Sequence, residues 1–256
     1  MHSKIIKYVL YDILRNKIVI AYTLFLFAVS LSLFQLEDNP SKAVLSLLNI
    51  ILIVVPLVSV VFSTIHFYNS YEFIELLVAQ PLPRNKILLS EYGGLAIAFS
   101  LAFYVGVGLP ILFFSPNSTG FMLLLAGVIL SLVFVSLAFL AAVITRDKAK
   151  GIGMALMVWF YFALLYDGLV LFILFAFRDY PLEKTTIALA CLNPVDLGRI
   201  LILLKMDVSA LMGYTGAVYQ QVLGNQGGIL GATGIMLLWV VMPLGIAVSV
   251  FAKKDL

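Results

Sequence analysis

The sequence predicts an all-α integral membrane protein, on the grounds of its composition, the length of its apolar runs and the placing of its charges. Of its 256 residues, 63% are hydrophobic and 11% are charged, and the mean hydropathy is +1.11. Soluble domains carry about 25% charged residues. Apolar runs of about 20 residues are long enough to cross the hydrocarbon core of a bilayer. We therefore expect a single transmembrane domain that extends over residues 1–256.

Six apolar runs have the length of a membrane span. They lie at about 18–36, 43–65, 93–115, 120–144, 151–177 and 228–251. Ahead of the first run, residues 3–17 place apolar side chains at helical spacing and Lys4, Lys7 and Arg15 on the opposite side. This pattern is typical of an amphipathic helix that lies in the membrane interface. The predicted fold is six transmembrane helices preceded by such a helix.

The positive charges are distributed unevenly between the two sides that the spans define. Eleven of the 16 lysines and arginines fall on the side of the N-terminus, and four of the other five lie in the long segment 178–227. Positive residues in short segments accumulate on the cytoplasmic side of a membrane protein. Both termini and the segment 66–92 are therefore expected in the cytoplasm, and 178–227 on the outer, periplasmic side.

The stretch YEFIELLVAQPLPRNKILLSEY at 71–92 interrupts the apolar pattern between spans two and three. Its first residues place apolar side chains on one face of a short helix, and Glu72 and Glu75 on another. Pro81 and Pro83 end this helix, because proline lacks an amide donor and disfavours helix in the residue before it. A solvated loop is the alternative, but the segment is longer than a connection between spans requires. The stretch therefore predicts a docking element for a cytoplasmic partner.

The outer segment 178–227 contains a second helical pattern, at 193–205. Its start has a plausible cap, a proline at the first helical position and an acid in the first turn. An apolar stripe follows, which predicts an outer-face helix that lies against the membrane. The next residues mix aromatics, glutamine and glycine, as a contact surface does. The residues predicted to contact a periplasmic partner are Asn193, Pro194, Asp196, Tyr214 and Tyr219.

Asp167 is an acid well inside the predicted fifth span. A charged residue at a helix centre costs roughly 2.5–3.5 kcal/mol on insertion scales, so it needs a partner, a proton or water. One interpretation places Asp167 on a dimer axis or translocation path with Tyr166 or Tyr161 nearby. The other is an acid that holds helices together through a hydrogen bond. The sequence leaves both open.

Glycines and prolines inside the predicted spans indicate how the helices pack. The GIG at 151–153 and the GATG at 231–234 favour close approach between helices. Pro56, Pro110 and Pro243 predict kinks in spans two, three and six.

Several motifs of chemistry are absent from the sequence. There is no G-x-x-x-x-G-K-[ST] run, so no nucleotide site is expected on this chain. One cysteine and two histidines without paired spacing predict no metal site. No GxSG or HExxH motif is present either. No catalytic residue is therefore predicted, and the chain is not expected to be an enzyme.

The run ELLVAQPLPR at 75–84, followed by an apolar helix, resembles the coupling-helix signature of ABC-2 type permeases. Members of that family have six spans, an N-terminal elbow helix and a coupling helix between spans two and three that engages a separate ATPase. Residues 69–73 depart from the Arg-Glu-x-Gly-Thr that many relatives carry at this place. The predicted coupling residues are Glu72, Glu75, Gln80, Pro81 and Arg84, of which the last four fall on positions that the family favours.

The resemblance also implies partners, cofactors and a location. A family member forms a homodimer in the bacterial inner membrane, among membrane lipids, and binds a cytoplasmic ATPase that holds ATP and Mg. No cofactor is expected on this chain, and no nucleic-acid partner.

Residues 193–224 are similar to the outer segment of permeases that serve the maturation of nitrous oxide reductase, and the YDG at 166–168 is similar too. This narrower resemblance implies a periplasmic accessory protein on the outer face and a role in assembling the copper–sulfur centre of that reductase. Two alternatives stay open. One is an ABC-2 exporter of a lipid, peptide or small molecule, and the other is an ion-driven secondary carrier that uses Asp167.

Overall fold

The computed structural model of the protein describes residues 2–178, 183–206 and 226–253. Within these ranges every regular element is helical, as predicted. The helices are α1 (His2–Leu14), α2 (Lys17–Leu36), α3 (Pro40–Asn69), α4 (Tyr71–Val78), α5 (Arg84–Phe103), α6 (Leu109–Phe114), α7 (Ser118–Ile144), α8 (Lys148–Phe160), α9 (Tyr166–Ala176), α10 (Glu183–Cys191), α11 (Pro194–Leu203) and α12 (Gln226–Lys253). Short π-helical segments at Tyr104–Gly108 and Tyr161–Leu165 join α5 to α6 and α8 to α9.

Six helical stretches in the described part are long and apolar enough to cross a membrane, which confirms the six predicted spans. They are Lys17–Leu36, Pro40–Asn69, Arg84–Phe114, Ser118–Ile144, Lys148–Ala176 and Gln226–Lys253. The third begins at Arg84 rather than near residue 93, because the charged residues that follow Pro83 form the first turns of the same helix. This difference places Glu91 inside a span.

Five helices begin at a polar side chain that caps their first turn. Asn16, Asn39, Asn117, Asp147 and Asn193 each accept a hydrogen bond from a backbone amide two or three residues later, at 2.9 Å. Such a cap stabilises a helix by about 0.5–2 kcal/mol relative to alanine. These side chains explain where α2, α3, α7, α8 and α11 start.

Helix α7 is the centre of the bundle. In its most apolar stretch 78% of the residues are buried, compared with 6% in the fifth span, Lys148–Ala176. Helices α3 and α12 pack along α7, and α5, α8 and α11 contact it as well. Because lipid tails are as apolar as leucine, close packing rather than removal from water holds such spans together. The fifth span lies at the edge, and the described residues leave most of its surface uncovered.

The amphipathic helix α1 packs along α5. Its apolar face is buried there, and Val9 is 2% exposed. Gly94 of α5 permits the contact, because a Cβ at this position would lie 2.5 Å from Val9 Cγ1. The neighbouring Gly93 is different, since its Cβ would meet Ile6 Cδ1 at an ordinary 3.7 Å.

The glycines predicted to mediate close packing differ from one another. A Cβ at Gly151 would overlap the ring of Tyr68, so the approach of α8 to α3 depends on this glycine. Gly153, Gly231 and Gly234 have no atom of the described chain within 4 Å of a Cβ position. The packing prediction is therefore wrong for these three within one chain, because they face outward.

The three span prolines lie in two kinds of helix. Helices α3 and α12 continue through Pro56 and Pro243 without a break. Pro110 follows the π-helical segment Tyr104–Gly108. Proline has no amide to donate to the preceding turn, and a π-helical turn is one way in which a helix absorbs that loss.

Helices α10 and α11 form a pair bent by 113°. The turn between them lies level with the middle of the fifth and sixth spans, because Trp239 Nε1 donates to Cys191 O at 3.1 Å and Asn193 Nδ2 donates to Phe162 O at 3.0 Å. Phe162 and Trp239 are each near the midpoint of their span. The helix predicted at 193–205 therefore enters the bundle instead of lying against its outer face. We call α10 and α11 the re-entrant pair.

The second π-helical segment supplies one acceptor for this turn. Within Tyr161–Leu165 the amide of Tyr166 donates to Tyr161 O rather than to Phe162 O. The Phe162 carbonyl thereby loses its α-helical donor, and it accepts from Asn193 instead. Backbone polar groups at membrane depth must be satisfied within the protein. The π-helical segment supplies the carbonyl acceptor and the turn supplies the amide donor, so the two irregular segments pair each other's polar groups.

Gly94→Ala is expected to lower the melting temperature, because the new methyl group overlaps Val9 and overpacking costs about 1–3 kcal/mol. Gly93→Ala is the matched control, since it has the same gain in helix propensity and room for the methyl group. Thermal unfolding in detergent, followed by labelling of Cys191, measures both variants. Equal midpoints would contradict the close contact between α1 and α5.

Asn193→Ala is expected to destabilise the chain more than Asn39→Ala, although both remove a helix cap. The reason is that Asn193 also donates to Phe162 O, and an unsatisfied buried acceptor costs about 1–3 kcal/mol. Melting curves from tryptophan fluorescence compare the two variants. Indistinguishable curves would mean that this hydrogen bond does not hold the turn inside the bundle.

Candidate functional site

The short helix α4 lies at the end of the bundle that carries α1. Its residues Ile74 and Leu77 are buried, and the helix packs against α3 and α5. The ring of Phe73 lies 5.2 Å from the ring of Tyr8 in α1. The helix ends at Val78, ahead of Pro81, as the sequence indicates. Helix α4 is thus a short element attached to three other helices.

The five predicted coupling residues lie in or next to α4. Glu72, Glu75, Gln80 and Pro81 are exposed, and Arg84 is half-buried at the start of α5. Leu76, which follows Glu75, is 67% exposed. Together they form a surface that is acidic and partly apolar and that a partner can reach. The role of these residues in coupling stays a prediction.

The last turn of α3 connects this end of the bundle to the fifth span. The hydroxyl oxygens of Tyr68 and Thr145 lie 2.6 Å apart, and Lys148 Nζ donates to Asn69 Oδ1 at 2.7 Å. The Tyr68 ring also fills the space beside Gly151. Closely packed elements transmit displacement because their interior has few voids. The end of α3 is therefore in close contact with the start of α8.

An ion-paired cluster lies between the fifth span and the re-entrant pair. Arg199 Nη1 is 3.0 Å from Asp167 Oδ2 and 3.5 Å from Asp196 Oδ1. Arg199 was missed in the sequence because the segment 178–227 was placed outside the membrane, where an arginine needs no partner. The structure shows that Asp167 joins two helices through this arginine.

Tyr166, the neighbour of Asp167, also contacts the re-entrant pair. Its side chain is buried, and its hydroxyl donates to Leu189 O at 2.6 Å. Its ring lies 5.8 Å from that of Tyr161. The two intramembrane polar residues that the sequence singles out therefore both bind the same short pair of helices.

The residues predicted to contact a periplasmic partner do not form one exposed surface in the described part of the chain. Asn193 and Pro194 are buried, and Asp196 is half-buried beside Arg199. The prediction is wrong for Asn193 and Pro194, because hydrogen bonds at mid-span hold the turn inside the bundle. Tyr214 and Tyr219 lie outside the described residues.

Glu91 was also missed in the sequence. It lies in α5 with its side chain 1% exposed, and His66 Nε2 is 3.5 Å from its Oε2. In the sequence Glu91 is one of the charged residues of the stretch at 71–92, and no role was predicted for it. The helical period was the available signal, because Ile87 and Leu95 lie one turn on either side and are fully buried.

The fold is that of a multi-pass membrane protein of the permease class. It has six spans, an amphipathic helix ahead of them, a surface helix between the second and third spans, and a re-entrant pair before the last span. The family model for the ABC-2 family transporter protein matches residues 4–256. The chain belongs to this ABC-2 family.

Two relatives within it are each named "Probable ABC transporter permease protein NosY". The protein from Pseudomonas aeruginosa is 32% identical over 148 residues, which cover 54% of each chain. The protein from Stutzerimonas stutzeri is 27% identical over 192 residues, which cover 70% of this chain and 67% of the relative. The match to the first relative spans about half of that protein's length.

Arg199→Met and Asp167→Asn are each expected to lower the melting temperature. Arg199→Met leaves Asp167 without its arginine, and Asp167→Asn leaves Arg199 with only the longer pair to Asp196, at 3.5 Å. An unpaired charge at a helix centre costs roughly 2.5–3.5 kcal/mol, which sets the upper size of each effect. The double variant is expected to lose less than the sum of the two, as directly interacting residues do. Lys42→Met, at an exposed position of α3, is the control. Strict additivity would argue against a direct ion pair.

Proposed function

We propose that this permease subunit couples ATP hydrolysis by a separate cytoplasmic ATPase to a periplasmic partner or substrate. The ABC-2 family implies an ATPase partner. The observation that carries the proposal is α4, which exposes Glu72 and Glu75 while its apolar face is fixed on α3 and α5. ATP and Mg bind to the ATPase, and this chain transmits motion without bond chemistry of its own.

Contacts within the described residues support a continuous path from α4 to the re-entrant pair. The path starts at α4, passes the end of α3, and reaches α8 through Tyr68 and Thr145. Helices α8 and α9 form the fifth span, which holds the re-entrant pair through Asp167 and Arg199. A push on α4 would thus move the helices that precede the outer segment.

We also propose that the chain works as a homodimer. Support comes from the fifth span, in whose most apolar stretch only 6% of the residues are buried by the described part of the chain, and from Gly153, Gly231 and Gly234, whose Cβ positions meet no other described helix or side chain. Outward glycines permit close approach of helices from a second copy. Crosslinking of single cysteines placed at 153 and 234, in a chain with Cys191 replaced, tests this arrangement. Formation of monomers alone would favour lipid as the cover of this face.

The finer proposal is a role in maturation of the copper centre of nitrous oxide reductase. It is supported by the two relatives named NosY and by the resemblance of residues 193–224 to permeases of that process. A periplasmic accessory protein would then bind the outer segment, with Tyr214 and Tyr219 among its contacts. The excess of lysine and arginine on the N-terminal side supports an inner-membrane location with both termini in the cytoplasm.

Affinity purification of the tagged chain in detergent tests both levels of the proposal. Recovery of an ATPase together with a periplasmic protein is the expected result. Recovery of an ATPase alone would favour an ABC-2 exporter of a lipid, peptide or small molecule. Recovery of the chain by itself would contradict the coupling function.

Reversing both glutamates of α4, as Glu72→Lys with Glu75→Lys, is expected to weaken ATPase binding by about tenfold or more, because close charge pairs across an interface couple strongly. Asp38→Lys is the control, since Asp38 is exposed at the other end of the bundle. Titration of the purified ATPase onto immobilised chain, with ATP turnover as a second readout, measures the effect. Unchanged affinity and turnover would remove both glutamates from the coupling surface.

A further inference from the structure

A cavity of about 180 Å³ lies beside α4 at the same end of the bundle. Helices α1, α3, α4 and α5 contribute to its walls, so it forms where the amphipathic helix meets the surface helix. It is distinct from the exposed acidic face of α4, because its polar groups come from α1, α3, α5 and the α3–α4 junction. Its lining includes Tyr8, Asp12, His66, Ser70, Phe73 and Glu91.

Glu91 is the buried acid of this cavity. Its side chain is 1% exposed, and neither carboxylate oxygen has a hydrogen-bond partner in the described part of the chain. His66 Nε2 lies 3.5 Å from Glu91 Oε2 and 3.3 Å from Ser70 Oγ. A charge-assisted hydrogen bond measures about 2.7–2.9 Å, so His66 does not satisfy the carboxylate. A buried charge without hydrogen bonds is costly, which leaves Glu91 in need of a donor.

The lining of the cavity favours a cation. Asp12 adds an exposed second carboxyl group, and His66 is the one basic side chain among the described lining residues. The rings of Tyr8 and Phe73 lie 5.2 Å apart at the edge, and Tyr8 is 61% exposed. Aromatic faces attract cations, most often guanidinium groups.

The carboxylate of Glu91 requires hydrogen-bond donors, and the aromatic rings at the edge of the cavity offer a flat surface. Both features favour an organic cation over a metal ion. No group of three His, Cys, Asp or Glu side chains in the described ranges is placed to hold a metal. Calcium takes six to eight oxygen ligands, and magnesium needs an octahedral set. A guanidinium is planar, carries five donors and pairs with both oxygens of a carboxylate while it stacks on aromatic rings.

We propose that this cavity receives an arginine side chain of the cytoplasmic ATPase, whose guanidinium binds the carboxylate of Glu91. The proposal rests on the proposed function, because it requires the ATPase to dock at α4. Charge complementarity identifies the occupant: the cavity lies beside α4, where Glu72 and Glu75 are exposed. A basic surface of the ATPase that contacts α4 would place its side chains at the edge of the cavity.

The first measurement uses methylguanidinium chloride as the probe and the purified full chain in detergent. The probe is expected to raise the melting temperature of the wild-type chain relative to sodium chloride at the same ionic strength, because a ligand of the native state stabilises it. Glu91→Gln should abolish this shift, and Asp38→Asn should retain it. Absence of a shift in the wild-type chain would overturn the proposal.

The second measurement is the affinity of the ATPase for the same variants. Glu91→Gln is expected to weaken binding by about tenfold or more, the size of a lost hydrogen bond to a charged group. Asp12→Asn, at an exposed position that folding tolerates, should weaken it by a smaller factor. Asp38→Asn should leave it unchanged. Elution as a single peak in size-exclusion chromatography confirms that each variant folds. If Glu91→Gln does not fold, the affinity of the ATPase for Asp12→Asn tests the proposal instead.

The outcomes separate this proposal from the proposed function. Loss of both the probe shift and the ATPase affinity in Glu91→Gln supports it. Loss of the probe shift with unchanged ATPase affinity overturns it, because the cavity then binds a cation that the ATPase does not supply. If reversing Glu72 and Glu75 weakens the ATPase while Glu91→Gln does not, the proposed function stands and this inference fails. If the wild-type chain binds no ATPase, both fail.

Discussion

The fold depends on one constraint, namely that backbone polar groups at membrane depth must find their partners within the protein. Helices meet it along the six spans, but the turn between α10 and α11 is not helical and lies at mid-span. Its groups are satisfied by Trp239 from the sixth span, by Tyr166 from the fifth, and by the cap and amide of Asn193. The irregular fifth span and the re-entrant pair therefore form one unit.

The same unit explains how Asp167 can lie inside the fifth span. Asp167 pairs with Arg199, which the re-entrant pair brings to the same depth. At the other end of the bundle, tight contacts tie α4 to α1, α3, α5 and, through Tyr68, to the fifth span. The two ends are thus linked by the span with the lowest burial among the six that the structure describes.

Much of the architecture could be read from the sequence because it depends on local chemistry. Apolar runs of span length predicted the six helices, and prolines predicted the end of α4. Other features required knowledge of neighbours. The burial of Glu91 was not predicted, because it depends on the neighbouring helices that surround it. Asn193 was recognised as a cap, but its second bond, to Phe162, depends on a π-helical turn that no sequence pattern announced. Of the residues predicted to act in coupling, Glu72, Glu75, Gln80 and Pro81 are exposed and Arg84 is half-buried, and their role stays a prediction.

The sequence by itself determined the class of protein, the number of spans, the position of the surface helix and the family to which the chain belongs. Hydropathy, helical period and proline act over a few residues, so their effects can be predicted without knowledge of the fold. Only the tertiary structure decided that the segment after the fifth span enters the bundle, that Arg199 compensates Asp167, and that the Glu91 carboxylate lies in a cavity without a hydrogen bond from the described residues. These three features depend on contacts between residues that are far apart in the chain. The energies of such contacts come from packing and charge compensation, which no local sequence pattern contains.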